Sequence, residues 1–139
     1  MKSRSKRLVV AMALILAVFN ATAATAGPPI LPSSFYGVVQ IGGANVVTGT
    51  TVTALINGVE YAHATVQIYQ GQSVASLDVP ADDPQTPAKE GGAAGDVVHF
   101  RVGNYMMLQS APWRSGVNLH LDLKLYQAFL PKVGRVAGQ

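Results

Sequence analysis

Four carboxylates stand close together in the middle of the sequence and are the residues with the clearest chemical potential. Asp78, Asp82, Asp83 and Glu90 fall within thirteen residues. Carboxylates on a loop rich in glycine and proline can wrap Ca²⁺, which takes about six to eight oxygen ligands. The spacing does not match an EF-hand loop, and Asp82-Asp83-Pro84 is also typical of turns. A calcium site formed by these four residues is therefore a hypothesis, and a solvated turn is the preferred alternative.

Trp113 is the only tryptophan of the chain and lies just before the last apolar segment. An exposed tryptophan on a loop can stack on a sugar or anchor a partner, which makes Trp113 a candidate ligand-binding residue. The preferred alternative is that its ring caps one end of the hydrophobic core. Paired carboxylates also suggest glycoside hydrolysis, but a small sandwich leaves little room for the sugar cleft that this reaction needs.

The remaining chemistry-bearing residues argue against an enzyme. His63, His99 and His120 occupy outward positions on three different predicted strands, and they can share a metal only if those strands are neighbours in one sheet. There is no cysteine, which excludes disulfides and thiolate metal sites, and no Gly-x-Ser-x-Gly nucleophile motif. We therefore predict a non-catalytic protein without a required cofactor, with calcium as the one candidate.

The first 26 residues match a secretory signal peptide. Four basic residues precede the apolar run of residues 8–19, and Ala24-Thr25-Ala26 has the small residues read at cleavage sites. Ten Lys and Arg less these four leave six basic residues against seven acidic ones from Gly27 onward. The processed chain therefore has no basic excess for nucleic acid, and no later run is long enough to span a membrane. We expect a secreted or cell-surface protein.

Short alternating segments fill the sequence after residue 32. Residues 117–125 place an aliphatic side chain at every second position, as a strand with one buried face requires. Asn57-Gly58 separates two such segments and is the strongest short signal for a type I′ hairpin. The predicted strands are residues 35–41, 51–56, 62–68, 73–79, 96–102, 105–110 and 117–125.

These elements predict an all-β fold, an antiparallel β-sandwich of about seven strands and immunoglobulin-like or prealbumin-like type. Residues 27–32 form a proline-rich lead-in, 33–125 the sandwich domain and 126–139 a C-terminal tail of unassigned role. Residues 80–95, rich in proline, glycine and charge, are expected to be a surface loop.

Several segments together resemble a β-sandwich repeat of secreted and surface-layer proteins, similar to carboxypeptidase-regulatory-like (prealbumin-like) and bacterial immunoglobulin-like modules. The resemblance covers roughly residues 33–125. It implies a spacer, adhesion unit or accessory domain with no catalytic residues to transfer. The matching segments are Phe35-Tyr36-Gly37-x-Val39, Gly49-Thr50-x-Val52-x-Ala54-x-Ile56-x-Gly58, Leu77-Asp78-Val79-Pro80-x-Asp82-Asp83-Pro84, Gly95-Asp96-x-Val98-x-Phe100 and Trp113-x-Ser115-Gly116.

Three functions stay open from the sequence. The first is a binding, adhesion or spacing module whose partner is an envelope or extracellular protein or polysaccharide. The second is a self-assembling subunit, in which the lead-in or the apolar tail of residues 129–136 pairs with the edge strand of a neighbour. The third is a calcium-dependent carbohydrate-binding domain that uses the acidic loop and Trp113.

Overall fold

The computed structural model describes residues 27–126, and the predicted signal peptide and most of the C-terminal tail lie outside this range. The described residues form strands and turns only, so they include no helix able to cross a membrane. The ten strands are β1 (Ser33–Ile41), β2 (Ala44–Asn45), β3 (Thr51–Ile56), β4 (Val59–Thr65), β5 (Gln67–Tyr69), β6 (Gln72–Val79), β7 (Val97–Val102), β8 (Tyr105–Pro112), β9 (Asn118–His120) and β10 (Leu123–Leu125).

The strands form two sheets that face each other, as the sandwich prediction requires. The larger sheet has the order β10-β1-β6-β5, and β2 and β9 also pair with β1. The smaller sheet has the order β4-β3-β7-β8. Phe35 of the larger sheet and Phe100 of the smaller one meet edge to face, with ring centroids 5.3 Å apart. The hydrophobic core therefore lies between the sheets, where aliphatic side chains from both inner faces surround this aromatic pair.

The hairpin predicted at Asn57-Gly58 is confirmed. Asn57 has a φ of 51° and Gly58 a φ of 79°, which is the left-handed backbone of a two-residue type I′ turn. The turn joins β3 to β4 within the smaller sheet, with Ile56 opposite Val59. The bounds of β3 are those predicted from the sequence, because both the alternation and the turn are local signals.

The prediction of one continuous strand over residues 117–125 is wrong at its centre. β9 and β10 are separated at Leu121 and Asp122. The carboxylate Oδ1 of Asp122 accepts a hydrogen bond from the backbone N–H of Val38 at 3.0 Å, so a side chain takes the place of a ladder carbonyl. The Leu121 backbone passes directly against Gly37, where a side chain would not fit. The alternation therefore continues in the sequence while the backbone ladder is broken.

The two sheets are antiparallel, as predicted, except where β9 and β10 meet β1. β9 and β10 pair with β1 in parallel, with Ser34 opposite Asn118 and Val39 opposite Leu123. The other strand pairings in the described residues are antiparallel. A period of two indicates which side chains share a face, but it carries no information about strand direction.

The predicted strand of residues 62–68 is divided between the two sheets. Val66 is fully buried at the point where the chain leaves β4 of the smaller sheet and enters β5 of the larger one. Its N–H donates to the Thr50 carbonyl at 2.8 Å, and its carbonyl accepts from the Gly49 N–H at 2.9 Å. This crossing places β5 beside β6 and closes one side of the sandwich.

Candidate functional site

Three of the four carboxylates of the predicted calcium site accept hydrogen bonds from nearby protein groups. Asp78 is on β6, where its Oδ1 accepts a hydrogen bond from the Ser34 hydroxyl at 2.5 Å. Asp82 Oδ1 accepts from the backbone N–H of Glu90 at 2.8 Å. Asp83 Oδ1 accepts from the Gln85 N–H at 2.9 Å, two residues along the chain, in the manner of an Asx turn.

The bonds of Asp82 and Asp83 are those expected of a solvated turn, whereas the Asp78 bond joins two neighbouring strands. Among residues 27–126, no group of three or more His, Asp or Glu side chains is placed to hold a metal ion. Calcium binding by Asp78, Asp82, Asp83 and Glu90 stays a prediction, and the geometry of the described residues gives it no support. The name acidic loop is used below for residues 80–95.

Asp96 fastens the end of the acidic loop. Its Oδ2 accepts from the Lys89 ammonium at 2.6 Å and from the Ala93 N–H at 2.8 Å. The hydrogen bond from Lys89, followed by that from the Ala93 amide, lowers the pKa of the Asp96 carboxyl, because both stabilise its charged form. Asp96 therefore closes the turn that leads into β7.

Trp113 is buried in the core, with 4% of its surface exposed. Its indole N–H donates to the Val79 carbonyl at 3.1 Å, and its backbone N–H donates to the Asp96 carbonyl at 2.8 Å. A side chain at Gly92 would overlap the indole ring, so the acidic loop returns directly against Trp113. This is the core-capping position that the sequence favoured, and stacking of Trp113 on a ligand stays a prediction.

An end cleft of about 640 Å³ lies between the acidic loop, residues 112–115 and Ile30, and Trp113 contributes to its lining. Most of the other lining side chains are glycine, alanine and proline. The polar lining residues are Asp82, Arg114 and Ser115, and the Asp82 carboxylate and the Ser115 hydroxyl already accept hydrogen bonds from backbone N–H groups.

The three histidines do not come together. His63 on β4 and His99 on β7 share the outer face of the smaller sheet, but β3 lies between their strands. His63 Nδ1 lies 2.8 Å from Glu60 Oε1, and Arg101 approaches the other oxygen of Glu60 at 4.0 Å. His120 is on β9 of the larger sheet, so a shared metal site is not formed.

A second hollow lies on the outer face of the larger sheet, where β1, β5, β6 and β9 meet the end of β4. We call it the aromatic groove, and its volume is about 610 Å³. Strand pairing sets Tyr36 beside His120 and Ser76, and sets Gln67 beside Val74. Its lining residues are Tyr36, Gly37, Val38, Ala64, Thr65, Gln67, Tyr69, Val74, Ala75, Ser76 and His120.

Small residues open the aromatic groove at the side of the sandwich. Ala64 of β4 and Ala75 of β6 both line the hollow. Larger side chains at these two positions would narrow the space between β4 and β6, whereas a side chain at Gly37 would meet the Leu121 backbone instead. The hollow therefore depends on the small size of two residues on different strands.

Three rings with polar atoms, those of Tyr36, Tyr69 and His120, line the aromatic groove. Tyr36 is 44% exposed and Tyr69 is 64% exposed. The Tyr36 and His120 rings have centroids 5.3 Å apart and are tilted by 41°. This contact orders the Tyr36 ring while leaving it accessible from the solvent side.

The Asp122 carboxylate links His120 to β1. Its Oδ1 lies 3.2 Å from His120 Nε2, and its Oδ2 lies 2.9 Å from the Lys124 ammonium. The hydrogen bond from the Val38 N–H, followed by that from Lys124, lowers the pKa of the Asp122 carboxyl. Asp122 thereby fixes one wall of the aromatic groove without lining it.

Sequence reasoning missed the aromatic groove, although one signal was present. Tyr36 is the second residue of the predicted strand 35–41, and Tyr69 directly follows the predicted strand 62–68; both are exposed. Two exposed tyrosines in or beside predicted strands indicate an exposed aromatic face. That they share one face depends on the β1–β6 and β6–β5 pairings, which only the structure provides.

No family model, curated protein or solved structure matches this chain.

Proposed function

We propose that this protein is a secreted or cell-surface binding module without catalytic activity, and that the aromatic groove is its binding surface. The observation that carries the proposal is a hollow of about 610 Å³ walled by exposed tyrosines on an ordered sheet. Ligand sites are typically concave, mostly apolar and furnished with a few polar groups, and the aromatic groove has this composition. An adhesion or accessory role in the cell envelope is consistent with such a surface.

Export is proposed from the sequence of the first 26 residues, which has the three parts of a signal peptide. The chain has no cysteine, so export would expose no thiol to oxidation. The partner is accordingly an envelope or extracellular component.

Among the two sandwich types, we favour the prealbumin-like one. In an immunoglobulin constant domain, the second and third strands belong to different sheets. Apart from the two-residue β2, the second and third strands here are β3 and β4, and they form a hairpin within the smaller sheet. This pairing supports the carboxypeptidase-regulatory-like alternative over the immunoglobulin-like one.

Self-assembly is the second candidate, and β8 is the observation that favours it. β8 is an edge strand without charged residues, and Met106 and Leu108 on it are more than half exposed. However, the Gln109 amide donates to the Lys124 carbonyl at 2.9 Å, which ties β8 to β10 and restricts access to this edge. A Leu108→Lys variant tests this candidate: sedimentation as a monomer at concentrations where the unmodified protein associates would support it.

Retention on an envelope fraction tests the binding proposal. The processed protein, residues 27–139, is immobilised and exposed to envelope material from the producing cells. Saturable retention is expected, together with its loss in a Tyr36→Ala/Tyr69→Ala variant. Tyr105→Ala is the matched control, because Tyr105 is an exposed tyrosine on β8 of the other sheet. Equal retention by the groove variant and the control would contradict the proposal.

A further inference from the structure

The lining of the aromatic groove is uncharged. No Asp, Glu, Lys or Arg is among the lining residues identified within positions 27–126, and His120 is the single titratable group besides the two tyrosines. A site for phosphate, sulfate or carboxylate groups would be expected to present arginine, lysine or clustered amides. The occupant that matches this surface is therefore electrically neutral.

The polar groups of the aromatic groove suit hydroxyl-rich ligands. Gln67 offers an amide donor and acceptor, and Ser76 offers a hydroxyl that both donates and accepts. Ser76 lies opposite Tyr36 in the sheet, and Gln67 lies two residues before Tyr69 on the same face of β5. The two tyrosine rings provide flat apolar contact area. Sugars combine an apolar C–H face with a rim of hydroxyls, so a single sugar ring uses both kinds of contact.

A peptide strand has less room in the aromatic groove. β5 pairs with β6 only from Gln72 to Val74, so the rest of this edge of β6 has no strand partner among the described residues. The Cα atoms of β4 nevertheless come within 8 Å of those of β6. A strand inserted between them would need about 4.8 Å on each side, roughly 10 Å in total. Pairing of an added strand is therefore obstructed, whereas ring stacking on the tyrosines is not.

The two exposed tyrosines are farther apart than one sugar ring spans. Tyr36 is opposite Ser76 of β6, and Tyr69 is opposite Gln72 of the same strand. Four residues along β6 correspond to about 13 Å, and the two strand spacings across the sheet add about 10 Å in the perpendicular direction. A ligand that contacts both rings must be an extended chain.

We infer that the aromatic groove binds a neutral polysaccharide chain, with Tyr36 and Tyr69 stacking on two separate sugar units. This inference rests on the proposed function and specifies its ligand class. Tyr36, steadied by His120, provides the first stacking position, and Tyr69 on β5 provides the second. Gln67 and Ser76 bond hydroxyls between them.

Calorimetric titration of the processed protein with neutral oligosaccharides tests the inference. The probes are cellohexaose, maltohexaose and chitohexaose, each with its disaccharide, and an oligogalacturonate serves as the charged comparison. At least one hexamer is expected to bind more tightly than its disaccharide and than the oligogalacturonate. Tyr36→Ala is expected to weaken hexamer binding about three- to tenfold, while Tyr105→Ala leaves it unchanged. Tyr69→Ala is expected to remove most of the advantage of the hexamer over the disaccharide.

Absence of binding by all three hexamers, or equal binding by the Tyr36→Ala variant, would overturn the inference. A second experiment distinguishes failure of the glycan inference from failure of the proposed binding function. It measures retention of the protein on envelope material that has been treated with either periodate or protease. Loss of retention after periodate oxidation of the sugars supports a glycan ligand. Loss after protease digestion alone, still dependent on Tyr36 and Tyr69, overturns the glycan inference and leaves the binding proposal standing.

Discussion

The acidic loop and the aromatic groove differ in where their polar side chains point. In the acidic loop, Asp82 and Asp83 accept hydrogen bonds from backbone amides of the same loop. In the aromatic groove, Gln67, Ser76 and Tyr69 lie on the outer face of a sheet and line an open hollow. One region directs its polar atoms inward to hold a turn, and the other presents them to the solvent.

Residues that are close together in the sequence therefore need not form a binding site. The acidic carboxylates are neighbours in the chain, and their closeness is what allows each to satisfy a nearby amide. The residues of the aromatic groove come from five strands, and apart from the β5–β6 hairpin these strands meet through contacts between residues far apart in the sequence. Under our proposal, the loop region contributes stability and the sheet face contributes binding, and substitutions test each role.

The largest effect is expected from Trp113→Ala, which removes the residue that anchors the acidic loop to the core. Loss of this buried ring should lower the free energy of unfolding by about 3–5 kcal/mol, measured by denaturant titration. Trp113→Phe keeps much of the ring but leaves the Val79 carbonyl without its donor, so a smaller loss of about 1–3 kcal/mol is expected. A stable Trp113→Ala protein with impaired ligand binding would instead make Trp113 part of the binding surface.

Gly37→Ala is expected to cause the next largest loss of stability. Gly37 lies at the base of the aromatic groove. A Cβ at this position would overlap the Leu121 carbonyl group, which belongs to the backbone and cannot rotate away. Forced overlap in a packed interior costs about 1–3 kcal/mol. Gly27→Ala is the control, because its Cβ would meet nothing within 4 Å. Equal thermal melting of both variants would show that the Leu121 segment yields without cost.

Asp122→Asn is expected to lower the free energy of unfolding near neutral pH, because an amide replaces the charged group that bonds to the Val38 N–H and the Lys124 ammonium. The loss should be only about 1–2 kcal/mol, because the carboxylate is partly exposed and solvent screens its interactions. Its pKa is lower in the folded protein than the ordinary 3.8. The charged form therefore stabilises the fold above pH 3.8, and this contribution is lost as pH falls through the lower folded value. The stability difference between Asp122→Asn and the unmodified protein should accordingly shrink in acid, followed by urea titrations at several pH values. A difference that grows in acid would contradict this assignment.

The smallest effects are expected in the acidic loop itself. Asp82→Asn and Asp83→Asn should each change stability by no more than about 0.5 kcal/mol, since an amide oxygen can still accept the backbone hydrogen bond. Added calcium is expected to leave the melting temperature of the unmodified protein unchanged. A calcium-dependent rise that disappears in these variants would restore the metal hypothesis and place chemistry in the loop.

The parts of the fold that were predictable from the sequence are local. The alternation of β3 indicates its buried face, and the Asn57-Gly58 pair indicates its turn, because both signals act between adjacent residues. The sandwich class follows from many such strands with turns between them. The division of residues 117–125 was not predictable, since it depends on a hydrogen bond between Asp122 and a strand more than eighty residues earlier.

The aromatic groove was less predictable than the fold. Tyr36, Tyr69 and His120 come together because β9 returns to β1 and β5 joins the sheet through the crossing at Val66. Alternation places each ring on an outer face but does not say which strands are neighbours. The position of Trp113, in contrast, was predictable as a core cap, since large aromatic residues before a strand are usually buried.

The parallel pairing of the first and last strands has a mechanical consequence. The chain enters β1 at Ser33 and leaves β10 at Leu125, which is paired with Ile41 at the far end of β1. These points are about 27 Å apart along the strand. Tension applied along this line would load the β1–β10 and β1–β9 hydrogen bonds together in shear, whereas peeling would break them one at a time. A tether held at these two points would therefore resist stretching with all of those bonds acting at once.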